Sequence, residues 1–217
     1  MNPEPDTYFD PVDGRVYRTV RIGSQVWMAE NLVAGHYRNG DPIPLVEHPR
    51  VWGRGEKGAC CFQVNDPGNG SSFGRLYNWY AVNDRRGLAP EGWHVPGDSE
   101  WQELEMYLGM RRSDLKRTGW RGENAGGKLK EQGTERWKEP NTGATNEACF
   151  NAVPGGYRDV DGSFCGLGTS CYWWSATEHI DYFAWYRSLY YTSYRIHRTT
   201  SYAGDGFSVR CVRDLPG

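Results

Sequence analysis

Apolar and polar residues alternate at both ends of the chain, and helical periodicity is confined to a stretch between them. RVYRTVRIG (15–23) has a period of two before Gly23, and QVWMAENL (25–32) follows the turn, so residues 12–32 predict an N-terminal hairpin. Residues 34–58, with Pro42, Pro44, Pro49, Gly40, Gly53 and Gly55, have no period and predict a long loop, followed by a strand at 59–64 and a turn at 65–72. Two helices come next. RLYNWYAVND (75–84) puts Leu76, Trp79, Tyr80 and Asn83 on one face and is ended by Gly87 and Pro90. SEWQELEMYLG (99–109) is capped by Asp98 or Ser99, buries a Trp101, Leu104 and Leu108 stripe and stops at Gly109. Glu100, Glu103 and Glu105 then form its solvated face.

Residues 111–143 are charged and punctuated by glycine, which predicts surface, with a short helical piece at 127–132 and Trp137 as the only large anchor. After Ala148 everything reads as strand: FNAVPGGYRD, SFCGLG, YWWSATE, FAWYRSLYY, YRIHRTT and GFSVRCVRD, joined by Gly-, Ser- or Asp-containing turns. The pattern predicts an α+β class with antiparallel sheets, two main helices and long ordered loops.

Length and composition narrow this. The 217 residues suffice for one core, so a single domain over 1–217 is expected, with 1–11 a flexible N-terminal segment and 180–214 the binding region and closing strand. Ten Trp, 14 Tyr and 28 Gly describe a core of aromatic plates with glycine at the tight places. A net charge of -2 gives no basic field for displacing counterions from phosphates, so nucleic acid is not an expected partner. No apolar run approaches the roughly 20 residues of a spanning helix, so no direct membrane insertion is expected. The first ten residues are acidic and proline-bearing and carry no export signal.

Candidate chemistry is sparse. Cys60, Cys61, Cys149, Cys165, Cys171 and Cys211 form no C-x-x-C pair. Two readings of them stand: disulfides, with Cys165 joined to Cys171 and Cys60 or Cys61 to Cys211, or buried free thiols. His36, His48, His94, His179 and His197 are scattered, none at metal-ligand spacing. Asp159-x-Asp161-Gly162, Asn65-Asp66 and Gly68-Asn69-Gly70 offer oxygens for calcium, but turn chemistry explains them and the later acidic positions of a calcium loop are missing. The expectation is no metal and no cofactor.

Residues 180–205 differ in kind: they lack Lys, Gln, Glu, Met and Asn and are filled with Tyr, Ser, Thr, Arg and His. Paratopes share that composition, Tyr supplying amphipathic area at low entropic cost and Ser and Thr adaptable hydrogen bonds. Strand alternation puts Phe183, Trp185 and Leu189 on a core face, and Tyr182, Ala184, Tyr186, Ser188 and Tyr190 on an outward one. An ordinary sheet with a Tyr/Thr face is the competing reading.

The runs GRLYNWYAVND (74–84), LAPEGWHVPGDSEWQEL (88–104), GGKLKE (126–131), FNAVPGGYRDVDGSF (150–164), YWWSAT (172–177) and GFSVRCVRD (206–214) closely resemble the Fibrobacter succinogenes major paralogous domain, over nearly the whole chain. The resemblance implies a C-type-lectin-like fold. It also implies a non-enzymatic role, since members often serve as variable proteins of diversity-generating retroelements, whose reverse transcription randomises adenines of asparagine codons. Such substitution cannot yield Lys, Gln, Glu, Met or Trp. Carried onto this chain, the pattern makes Ala184, Trp185, Arg187, Leu189, Tyr191, Ile196, Arg198, Gly206 and Phe207 framework. The ligand-binding residues it implies are Tyr186, Ser188, Tyr190, Thr192, Ser193, Arg195, His197, Thr199, Thr200, Ser201, Tyr202, Gly204 and Asp205, with Tyr182 beside them. The implied partner is a macromolecule, a protein or cell-surface component, and the implied location is extracellular, on a cell surface or phage particle.

Two departures from the family stand out: Cys149 replaces a common Gly, and Cys165 and Cys171 are additions that favour the loop-closing disulfide. A formylglycine-generating-type oxidoreductase is one alternative, weakened because Cys211 alternates in phase with Phe207 and Val209 and is expected to be buried. A calcium-dependent carbohydrate lectin is the other; neither the Glu-Pro-Asn nor the Trp-Asn-Asp signature of that class is expected here.

Overall fold

Gly23, at φ +63°, lets β2 (Arg15–Ile22) turn back onto β3 (Gln25–Met28). An added Cβ there would also stand 2.9 Å from the Tyr107 ring. The computed structural model describes residues 6–53 and 55–214. Within the segment expected to be flexible, Thr7–Asp10 forms β1, paired along its length with β2; residues 1–5 lie outside the described residues. β13 (Val212–Arg213) sits between β3 and β6 (Trp93–His94), giving the order β1-β2-β3-β13-β6. Strands from opposite ends of the chain therefore share one sheet.

The second sheet carries the C-terminal strands. β7 (Gly119–Arg121), β8 (Gly155–Arg158), β9 (Phe164–Leu167), β10 (Ser170–Ile180), β11 (Phe183–Tyr190) and β12 (Ile196–Tyr202) run in the order β7-β12-β11-β10-β8-β9. All its pairings are antiparallel except the contact of Cys171 with Gly156 between β10 and β8. β4 (Cys60–Phe62) and β5 (Arg75–Tyr77) form a small third sheet. The architecture is α+β and C-type-lectin-like.

The helices are short except one. α3 (Asp98–Tyr107) follows the predicted stripe, with Trp101, Leu104 and Leu108 all buried. Its N-cap is Gly97, whose N–H is accepted by the Glu100 carboxylate at 2.8 Å, while Asp98 is the first helical residue. The helix expected over 75–84 is instead β5 followed by the four-residue α2 (Trp79–Val82). Asn78 decides this: its side-chain oxygen accepts from the N–H groups of Ala81 and Ala59, capping the helix where the strand ends. α1 (Gly70–Phe73) and α4 (Ala125–Leu129) are single turns.

Trp27, Trp101, Trp173 and Phe150 pack with ring centroids 4.9–6.2 Å apart in one buried cluster beneath α3. A second cluster stacks Phe207 on Trp174 at 4.2 Å and on Tyr172 at 5.1 Å. Of the run expected as a closing strand, only Val212 and Arg213 pair as one. Residues 206–208 cross between sheets through single bridges to Arg158, Tyr77 and Trp173.

All six cysteines are free thiols. The Cys165–Cys171 bridge is not formed, and neither Cys60 nor Cys61 joins Cys211, because Cys60 and Cys61 pair with Tyr77 and Leu76 while the Cys211 carbonyl is bonded to Met28. Glu105 corrects the expected solvated face of α3. It is fully buried, whereas Glu103 is exposed and Glu100 bonds His94.

Candidate ligand-binding surface

The register of β10, β11 and β12 fixes what each sheet face displays. Tyr186 pairs with Thr199 and with Trp174, and Ser188 with His197 and with Tyr172. His197 in turn pairs with Trp120 on β7. Side chains of paired residues share a face, so one face gathers Tyr172, Tyr186, Tyr190, His197, Thr199, Ser201 and Trp120. The rings touch: Trp120 lies 5.3 Å from Tyr190 and 4.9 Å from His197, and Tyr186 lies 5.8 Å from Tyr172. The Tyr172 and Tyr190 hydroxyls are bonded at 2.6 Å. Tyr186, Tyr190 and His197 are half-buried, and Trp120 is 41% exposed.

Burial pushes the Tyr186 phenol up to about 12, so it stays protonated and available as a hydrogen-bond donor. His197 is held below the usual imidazole range, first by burial and then by the neighbouring Arg121 charge. Lys130, fully buried, donates to the backbone carbonyls of Thr142 and Tyr190 and so ties down the end of β11. Burial lowers its pKa to about 8.

The opposite face is ionic. Glu105 accepts from Arg121 Nη2 at 2.7 Å and from Arg187 Nε at 2.5 Å. Asp98 accepts from Arg187 Nη1 at 2.8 Å and from Arg198 Nη2 at 2.7 Å. Trp185 covers Arg198, whose guanidinium carbon lies 3.5 Å from the ring centroid. Burial raises the Asp98 pKa, but the bonds from Arg198 and Arg187 outweigh it and bring it to about 2. This clamp locks alternate residues of β11 and β12 to α3 and β7.

The fourteen expected binding residues divide accordingly. Tyr186, Tyr190, His197, Thr199 and Ser201 come together on the aromatic face. Thr192, Ser193 and Arg195 lie in the turn joining β11 to β12, next to its Tyr190 and His197 end. Thr200 and Tyr202 alternate onto the other side, opposite Trp185 and Phe183. Tyr182 is exposed at the β10–β11 turn with φ +66°.

Ser188, Gly204 and Asp205 contradict the expected outward placement: all three are buried. Residues 206–208 run beside β10, with Ser208 bridged to Trp173, and set the Phe207 ring 4.9 Å from Tyr186 in the same buried cluster as Ala184 and Ala203, while Ser188 lies between its paired residues Tyr172 and His197. Asp205 accepts from Ser201 Oγ and Val160 N, and burial raises its carboxyl to about 6. The expected core face is corrected too. Phe183 is 39% exposed and Trp185 half-buried, leaving Leu189 in the core.

Trp120 and Tyr157 were not legible as surface members. Trp120 stands among charges and glycines with no strand pattern around it, and Tyr157 joins through ring contacts with Tyr172 at 4.7 Å and Phe207 at 5.9 Å. One lectin signature is present against expectation, as Glu139-Pro140-Asn141. Glu139 is exposed, but Asn141 is buried with its amide on the Glu131 and Gly133 carbonyls, so the triplet presents no shared pair of oxygens. Among the described residues no group of three or more His, Cys, Asp or Glu is placed to hold a metal ion. No helix there is long and apolar enough to cross a membrane.

Fold and surface together define an α+β protein with a one-sided aromatic face on a C-type-lectin-like scaffold. The family model for the Fibrobacter succinogenes major domain matches residues 20–213, from β2 to β13, and the chain belongs to that family. No curated protein and no solved structure matches it.

Proposed function

We propose that the chain is a non-enzymatic ligand-binding protein, a variable protein of a diversity-generating retroelement. Its ligand is a macromolecule, a protein or cell-surface component, met outside the cytoplasm on a cell surface or phage particle. One observation carries this reading: the strand register segregates replaceable from irreplaceable residues. Tyr186, His197, Thr199 and Ser201 form no ion pair among the described residues and share one partly exposed face, while Arg187 and Arg198 between them are buried in a carboxylate clamp. Changing the first set leaves the second in place, which is what a diversified surface needs.

An oxidoreductase working through Cys211 fits less well. Its thiol is fully buried and burial raises its pKa, both of which oppose a reactive thiolate.

Deep sequencing of this locus in its source population tests the reading. Replacements are expected to concentrate at the codons of Tyr186, Tyr190, Ser193, Arg195, His197, Thr199 and Ser201, and never to produce Lys, Gln, Glu, Met or Trp. Equal replacement rates at Arg187 and Arg198 would overturn it.

A further inference from the structure

Next to the aromatic face lies a cleft of about 200 Å3 lined by Arg111, Arg117, Arg121 and Arg195, with Asp114 and Glu123. Arg117 is paired with Asp114 at 3.1 Å. Arg111 and Arg195 are exposed and have no carboxylate within ion-pair distance among the described residues. Positive charge is therefore in excess at the rim.

Arg121 adds a second, buried excess. The clamp it belongs to holds three guanidiniums, of Arg121, Arg187 and Arg198, against two carboxylates, of Asp98 and Glu105. Arg121 is 3% exposed, and its Nε finds no hydrogen-bond partner among the described residues. An unmatched buried donor is destabilising until a partner reaches it, and unbalanced charge in a weakly screening interior acts strongly on a nearby anion. Trp120 lines the same cleft and packs on Tyr190 and His197, so the cleft opens onto the aromatic face.

Resting on the recognition reading above, we propose that this cleft is an anion subsite of the ligand face, taking a carboxylate from an acidic segment of a protein ligand. A guanidinium fork matches a planar carboxylate through two parallel hydrogen bonds. The cleft has room for one Asp or Glu side chain, and the Tyr, Ser and Thr beside it suit contact with a protein surface. Arg195 belongs to the set proposed as diversified, whereas Arg121 belongs to the clamp, so the anion preference is partly fixed and partly adjustable.

The test titrates the full chain with a hexaglutamate peptide, following the Trp120 indole N–H and the His197 ring by NMR. A saturable Trp120 shift is expected, with affinity falling about tenfold or more in the Arg111→Ala/Arg195→Ala double variant at unchanged unfolding temperature. The His197 pKa should rise on binding, because a bound anion offsets the Arg121 charge. No saturable shift up to about 5 mM peptide, equal affinity in the double variant, or equal affinity for inorganic phosphate alone would each overturn the assignment. Failure here with replacements still confined to the patch codons removes the subsite and leaves the diversified face standing. Replacement spread evenly over the strands with peptide binding intact does the reverse.

Discussion

Asp98 and Asp205 are both buried carboxylates under the same strand pair, one beneath each face, and they titrate in opposite directions. Asp98 meets Arg187 and Arg198 and is brought down to about 2, against the effect of its burial. Asp205 meets a hydroxyl and a backbone N–H, with Asp159 and Asp161 nearby, and is raised to about 6. Burial alone penalises the charged form; a guanidinium partner reverses the sign. On the Asp98 face each side chain depends on the charge of the next, so none can change alone. On the Asp205 face the contacts are aromatic edges and hydroxyls, with no buried ion pair among the described residues for a replacement to break.

The largest effect is expected where the clamp is cut. Glu105→Gln leaves Arg121 and Arg187 charged and buried without their shared partner, at a cost of about 3–5 kcal/mol. Urea unfolding measures it, and a loss below about 1 kcal/mol would mean that the ionic face does not hold the strands.

Asp205→Asn should act in the other direction. The folded pKa of Asp205, about 6, lies above its ordinary 3.8, so protonation favours the fold. That contribution is complete below the ordinary value and is lost as pH rises through 6. The amide, neutral throughout, should therefore gain about 1–3 kcal/mol over the parent at pH 7 and almost nothing at pH 3. Asp98 has the opposite sign, its contribution being present above 3.8 and lost as pH falls towards 2. Unfolding midpoints of parent and variant at pH 3, 5 and 7 separate the two carboxylates; an unchanged difference across that range would contradict the assignment to Asp205.

The smallest effects belong to the half-exposed positions. Thr199→Ser and His197→Tyr should each change stability by no more than about 0.5 kcal/mol. Ser188→Tyr, a change of the same mutational class at a fully buried site on the same face, should cost about 1–3 kcal/mol by overpacking. Thermal unfolding of the three variants compares them directly, and equal costs would erase the distinction between open and covered parts of the face.

Much of the fold was legible in local pattern. The turn at Gly23, the Trp101, Leu104 and Leu108 stripe of α3, and the alternation along β11 and β12 all follow from steric and periodic rules that act between residues a few positions apart. The composition of residues 180–205 singled out the candidate surface for the same reason, since a run of amphipathic side chains can be seen without knowing what packs against it. Glu105 shows the limit. It stands four residues after Trp101, on the buried stripe, but an acidic residue there reads as solvated until Arg121 and Arg187 arrive from 16 and 82 residues away. Likewise Ser188 is buried between its cross-strand partners Tyr172 and His197, Asp205 is buried on Ser201 and Val160, and Trp120 joins the face only because β7 pairs with β12. The sequence by itself determined the β2–β3 hairpin, the C-terminal strands β8 to β12, the main helix and the stretch with a recognition composition, because periodicity and backbone preference are local. Which of those side chains reach solvent, and which charges are balanced, only the tertiary structure decided, because covering and charge compensation are contacts between residues far apart in the chain.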